Sequence, residues 1–257
     1  MNRYFIFLAY NGTRYCGWQN QPNGNSIQTS IEKALSKILR QDTAIVGAGR
    51  TDAGVHARMM AAHFDAPEPI ENPVGLTDKL NKMLPDDFAI HRIVPVANNA
   101  NARFDALSRT YIYMLTDVKN PFRYEYVYRT PLSSVNFEKM NEACAVLFDY
   151  TDFTSFSKLH TDVKTNHCRI DKAGWEKQED EWVFTITADR FLRNMVRSLV
   201  GTLLDVGRGK LTINDFRQII EAKNRSRAGM SIDPKGLALV DITYPDHIFL
   251  DCSNNNL

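Results

Sequence analysis

Gly47-Ala48-Gly49-Arg50-Thr51-Asp52-Ala53-Gly54-Val55-His56 is the most unusual stretch of the chain. Three glycines bracket an arginine, a threonine and an aspartate. Glycine permits positive φ and lets a second backbone or a ligand come close. Within that frame a guanidinium and a carboxylate stand two residues apart, so one loop tip can present both. A neighbouring cation favours the ionised carboxylate, and an ionised, partly buried carboxylate is a competent nucleophile. The bland alternative is a tight turn with a surface salt bridge; for an isolated Gly-x-Arg-x-Asp it usually prevails. The segment lacks the Gly-Lys-Ser/Thr ending of a phosphate loop. Its Thr-Asp-Ala-Gly order is not the Asp-Thr-Gly of aspartic proteases. The residues alone leave an unassigned Asp52 in a glycine loop.

Elements alternate outward from this loop. Upstream, Tyr4–Tyr10 reads as a buried strand, apolar on both faces. Asn11–Asn25, with Gly12, Gly17, Pro22 and Gly24, reads as a long loop. Ser26 then caps a helix carrying Ile27, Ile31, Leu35, Ile38 and Leu39. Ala44–Val46 is a short strand before the glycines and Met59–Phe64 a strand after them. Thr77–Leu84 is a helix stopped by Pro85, and Phe88–Val96 alternates as a strand. A second set follows: strand Arg109–Leu115, helix Phe137–Phe148, paired strands Ala173–Trp175 and Trp182–Ala188, helix Phe191–Val206, helix Ile213–Ala222 and strand Leu237–Ile242. Interleaving of this kind predicts an α+β or mixed α/β protein of two similar halves with a cleft between them. The expected boundaries are 1–105, carrying the Asp52 loop, 106–248, completing the cleft, and a polar tail over 249–257.

Composition narrows the class. The chain has 257 residues, 44% hydrophobic and 24% charged, enough to bury a core and unlike a disordered chain. Its net charge of +1 gives no global basic footprint, so a nucleic-acid partner would need local patches. Such groups exist at Arg190, Arg193 and Arg197, at Arg208 and Lys210, and at Lys223, Arg225 and Arg227, although charge alone favours solvated helix faces balanced by Asp and Glu elsewhere. Cys16, Cys144, Cys168 and Cys252 show no metal or disulfide spacing. His56 and His63 are seven apart, which on a strand puts them on opposite faces, and His160, His167 and Cys168 lack further ligands at known spacing. No metal is expected. The apolar run Tyr4–Tyr10 is too short for a membrane span and has no small-residue cleavage site. With scattered thiols, this predicts a cytoplasmic protein without a membrane partner.

The run Gly49–Ala57 resembles the signature of the tRNA pseudouridine synthase A family. The likeness continues along the chain in the family's order. It takes in Tyr10–Thr13 with Gly17–Asn23, Asn81 with Leu84–Asp87, and Ala102–Ala106 leading into Arg109–Tyr113. In the second half it takes in Asp152–Phe156, Phe191–Arg197 with Gly201, Gly236–Leu239 and Tyr244-Pro245. The resemblance implies the pseudouridine synthase fold: two similar halves with mixed, mainly antiparallel sheets flanked by helices, and a central active-site cleft. It implies isomerisation of uridine to pseudouridine at positions 38, 39 and 40 of the tRNA anticodon stem-loop. The bond from ribose C1′ to uracil N1 breaks and one from C1′ to C5 forms; the C5 proton leaves and N1 gains one. No cofactor is required.

The same resemblance assigns roles. Asp52 is the catalytic carboxylate, acting on uracil C6, on C1′, or as a base leading to a glycal; these alternatives stay open. Arg197 is its basic partner. Tyr111 stacks on the uracil or helps remove the C5 proton, although Tyr113 has the same periodicity and spacing cannot choose between them. Arg50 fills the space of a flipped base or holds a phosphate, and Leu237 walls the base. Arg14 and Arg193, with Lys223 and Arg225, are candidate phosphate contacts by charge. The family works as a homodimer on tRNA. A non-catalytic tRNA-binding or folding-assisting protein on the same scaffold is the competing reading; a small-ester hydrolase using Asp52 is a third, which the basic and aromatic pattern does not support.

Overall fold

A computed structural model describes residues 1–22, 24–158 and 165–250. The chain forms two compact units, one of Met1–Leu107 together with the chain from Leu239 onward, the other of Ser108–Ala238. Residues 251–257 of the expected tail, Cys252 among them, lie outside the described residues, as does His160.

In the first unit the elements are β1 (Asn2–Tyr10), α1 (Ile27–Leu39), β2 (Val46–Gly47), β3 (His56–Ala66), α2 (Pro73–Met83) and β4 (Phe88–Val96). β1 lies between β4 and β3 and is antiparallel to both. A strand flanked on both sides can be apolar on both faces, and Phe5, Ile6, Phe7 and Leu8 are all fully buried or nearly so. β3 is much longer than its apolar run suggested and starts at His56, inside the glycine motif. β2 falls at Val46–Gly47 rather than Ala44–Val46, because pairing with His63 and Ala62 of β3 decides its position. α1 begins where expected: the Ser26 hydroxyl accepts from the Thr29 amide at 3.1 Å. α2 starts four residues before the expected Thr77. Asn72 caps it and Pro73 takes its first position, a start signal independent of apolar periodicity.

The second unit holds β5 (Ser108–Thr116), β6 (Tyr128–Arg129), α3 (Phe137–Val146), β7 (Ile170–Gln178), β8 (Glu181–Ala188), α4 (Met195–Gly207) and α5 (Ile213–Glu221). β8 sits between β5 and β7, antiparallel to both, while β6 pairs parallel with β5. α3 is shorter than predicted and ends in a 3-10 turn over Leu147–Asp149. α4 departs most from expectation. It begins at Met195, not Phe191, because Asn194 adopts φ 67°, ψ 4° and breaks the helical path. Leu192 is buried all the same and Phe191 is half-buried, so the apolar run belongs to the core without being helical. The last strand, β9 (Leu237–Thr243), pairs beside β3 in the first unit. The fold class is therefore mixed α/β, with mainly antiparallel pairing and helices in each unit.

His56 of the motif and His63 further along β3 are built into this frame as acceptors. His56 Nδ1 accepts from the Gly12 amide at 3.1 Å, and His63 Nδ1 accepts from the Ala102 amide at 3.1 Å. A protonated ring could not accept either bond. Burial, with Arg3 nearby, holds the His63 imidazole below its ordinary value of 6.5. Its contribution to stability is complete above pH 6.5. It is lost as pH falls below that value toward the depressed folded one, because the unfolded chain takes the proton first. Urea unfolding of wild type should weaken from pH 7.5 to 5.5 more steeply than that of a His63→Gln variant; equal slopes would reject this account.

Candidate active site

Asp52 sits half-buried in the turn between β2 and β3. The turn closes through the Val55 amide donating to the Asp52 carbonyl at 3.1 Å. The Trp18 amide donates to the Thr51 carbonyl at 3.1 Å, and Gly54 N–H reaches the Tyr15 carbonyl at 3.4 Å. The Thr51 and Tyr10 hydroxyls share a buried bond of 2.9 Å. Two glycines of the N-terminal loop make this fit possible. Gly17 has φ +101°, and a Cβ there would lie 2.5 Å from the Thr51 oxygen and 3.1 Å from the Asp52 carbonyl carbon. A Cβ on Gly12 would collide with the Val55 carbonyl.

That N-terminal loop is anchored in turn by Asp87. The Asn11 amide donates to the Asp87 carbonyl at 2.8 Å, and the Tyr15 hydroxyl to its carboxylate at 3.2 Å. Burial and this carboxylate push the Tyr15 phenol up to about 12. Asn11–Trp18, Thr51–Val55 and Asp86-Asp87 are thus three stretches marked separately in the sequence that converge on one frame. Asn81 adds a bidentate clamp on Ile90 of β4, at 2.9 and 2.7 Å. Arg50 is exposed on the same turn. Arg14 is also exposed and lies 3.9 Å from Asp87.

In the second unit β5 presents Tyr111 and Tyr113 on one face. Tyr113 is fully buried, donates its hydroxyl to the Asp233 carbonyl at 2.7 Å, and has Gly236 packed against its ring. Burial drives its phenol far up. It is a structural tyrosine. Tyr111 instead meets Phe191 edge to face, with centroids 5.1 Å apart. Leu237 is buried immediately after the turn Pro234–Gly236, which Asp233 caps through the Lys235 amide.

Arg197 is the third residue of α4 and half-buried. Its Nε donates to the Ile232 carbonyl at 2.8 Å, and the Ile232 amide returns a bond to the Arg197 carbonyl at 3.2 Å. Arg193 precedes the helix rather than lying within it; its side chain is exposed and its carbonyl accepts from Lys158. Lys223 pairs with Asp152 at 3.0 Å. Arg225 is directed inward, toward Ala228, Gly229 and Ser231. Sequence reasoning had no access to the close approach of Gly12 and Gly17 to the Asp52 turn, nor to the segment Ala228–Ile232 beside α4. The glycines themselves were the available signal.

A family model described as tRNA pseudouridine synthase matches residues 6–105 and 144–245, most of the chain in two blocks. This defines the protein class as an isomerase that forms pseudouridine. A protein of Parabacteroides distasonis called tRNA pseudouridine synthase A is 62% identical over 249 residues, covering 97% of this chain and 98% of the relative. Proteins of the same name are 58% identical in Porphyromonas gingivalis, covering 97% and 100%, and 37% identical in Pseudoalteromonas translucida, covering 95% and 92%. The chain belongs to the tRNA pseudouridine synthase family.

Proposed function

We propose that this chain isomerises uridine to pseudouridine at positions 38, 39 and 40 of the tRNA anticodon stem-loop, with Asp52 as the catalytic carboxylate. The observation that carries the reading is the main-chain frame around Asp52. Three stretches converge to hold the main chain of half-buried Asp52 in a turn that two glycines alone make possible. Positioning of that quality is how an enzyme converts a bound group into a reactive one. A surface ion pair has no need of it.

The remaining roles follow the family pattern. Arg197 is the basic partner that keeps the carboxylate charged, and its Nε bond to Ile232 sets the guanidinium's direction. Tyr111 offers its ring to the uracil, which the structural commitment of Tyr113 favours over the alternative tyrosine. Leu237 walls the base. Arg50, exposed on the Asp52 turn, takes the place of the flipped nucleotide or holds its phosphate. Flipping a stacked base costs a few kcal/mol, which such contacts offset. Arg14 and Arg193 are exposed cations suited to phosphates. The working form is a cytoplasmic homodimer on tRNA. Among the described residues no helix is long and apolar enough to cross a membrane.

The test is tritium release from C5-labelled uridine in tRNA, paired with pseudouridine mapping in cells lacking the gene. Release by the purified chain, and loss of the modification at positions 38–40 in the deletion strain, are expected. Tight tRNA binding without release would instead leave a binding protein on an isomerase scaffold.

A further inference from the structure

Asn194 breaks a local rule. Asparagine at a helix N-cap ordinarily accepts a bond from an amide of the first turn, yet Asn194 caps α4 with no side-chain bond to it and in the left-handed region. Its amide nitrogen goes instead to the Ser231 hydroxyl at 2.5 Å. The same hydroxyl receives Arg225 Nη2 at 2.9 Å. Arg225 also donates through Nη1 to the Gly229 carbonyl at 3.2 Å and, less closely, to that of Ala228.

These bonds fasten a strap, Ala228–Ile232, to the first turns of α4. Gly229 N–H donates to Thr202 Oγ1 at 2.9 Å. The Met230 carbonyl lies against Gly201, where any Cβ would collide with it. At its far end the strap supplies the Ile232 carbonyl that receives Arg197 Nε at 2.8 Å. The guanidinium is planar, so fixing Nε fixes the direction in which its two terminal nitrogens point.

We infer that Asn194, Ser231 and Arg225 form a latch that positions Arg197 for the isomerisation, acting through the strap and touching no substrate. This rests on the reading of Arg197 as the carboxylate's partner. The left-handed Asn194 is explained by it: the helix gives up a side-chain cap so that the amide can reach the strap.

The test uses the full-length protein and single-turnover tritium release with saturating and subsaturating tRNA. Ser231→Ala removes the shared hydroxyl and should lower kcat by about 100-fold, the scale of a misplacement near 1 Å, with KM within about twofold. Ser231→Thr keeps the hydroxyl and should restore most of the rate. Asn194→Gly keeps the left-handed backbone, removes the amide, and should reproduce the Ser231→Ala loss. Combined with Arg197→Met, Ser231→Ala should add nothing further. A Ser231→Ala enzyme at wild-type kcat beside an inactive Arg197→Met would overturn the latch alone. Additive losses, or equal losses in Ser231→Ala and Ser231→Thr, would overturn it as well by assigning Ser231 a general structural role. An Arg197→Met enzyme that keeps its rate would defeat the prior reading of Arg197 itself.

Discussion

Asp52→Ala should leave a folded protein that binds tRNA and forms no measurable pseudouridine. The bonds that hold the turn use the main chain of Thr51, Asp52, Gly54 and the hydroxyl of Thr51. Truncating the carboxylate leaves every one of them in place. The turn should therefore keep its shape, and the variant should still unfold cooperatively in a thermal melt. Catalysis should not survive, because removing a nucleophile that acts with its partners as a unit costs on the order of 10⁴-fold or more. Asp52→Asn, nearly isosteric, should be as inactive, which separates charge from shape. The readout is single-turnover tritium release beside a filter-binding titration with tRNA. Retention of about one hundredth of the wild-type rate in either variant would contradict a nucleophilic or basic role.

Gly17→Ala is the second large effect, and it touches neither substrate nor any ionisable group. The position has φ +101°, and a Cβ would come within 2.5 Å of the Thr51 carbonyl oxygen. Left-handed backbone costs a β-carbon about 1–2 kcal/mol by itself. The clash is with main chain rather than with a side-chain tip, so the Thr51–Asp52 peptide must move. A displacement near 1 Å at a reacting group is worth about 100-fold in rate. We expect kcat to fall by that order with a melting point lowered by several degrees and tRNA affinity nearly unchanged. Gly49→Ala is the control: it lies in the same motif but has no atom within 4 Å of a built Cβ and no positive φ. It should turn over at close to the wild-type rate. Equal losses at Gly17 and Gly49 would show that the motif tolerates no side chain for reasons other than this contact.

Much of the architecture was legible from periodicity. β4, over Phe88–Val96, coincides with its alternating run, and β1, β5, β8 and α5 differ from theirs by one or two residues at an end. These segments have patterns matching a single local geometry, and their ends are marked by turn residues. The failures share a cause. β2 was displaced and β3 extended because strand pairing, not composition, sets where a strand ends. Apolar periodicity overextends α4 because buried apolar residues look alike whether or not they are helical, and asparagine tolerates the left-handed conformation of Asn194 without requiring it.

The site divides in the same way. Asp52 stood out because a carboxylate amid three glycines is rare and because the surrounding residues follow a family pattern over nearly the whole chain. Its candidate partners Tyr111 and Arg197 came from that pattern, not from spacing, which left Tyr111 and Tyr113 equivalent. What the linear sequence determined, then, was composition-level chemistry: which residue types exist, in which order, with which local periodicity. Tertiary structure alone decided that Gly12 and Gly17 lie against the turn of Asp52, that Tyr113 is committed to Asp233, and that a strap more than thirty residues downstream holds Arg197. Such contacts join residues remote in the chain, and local preference carries no information about which distant backbone will come to lie beside it.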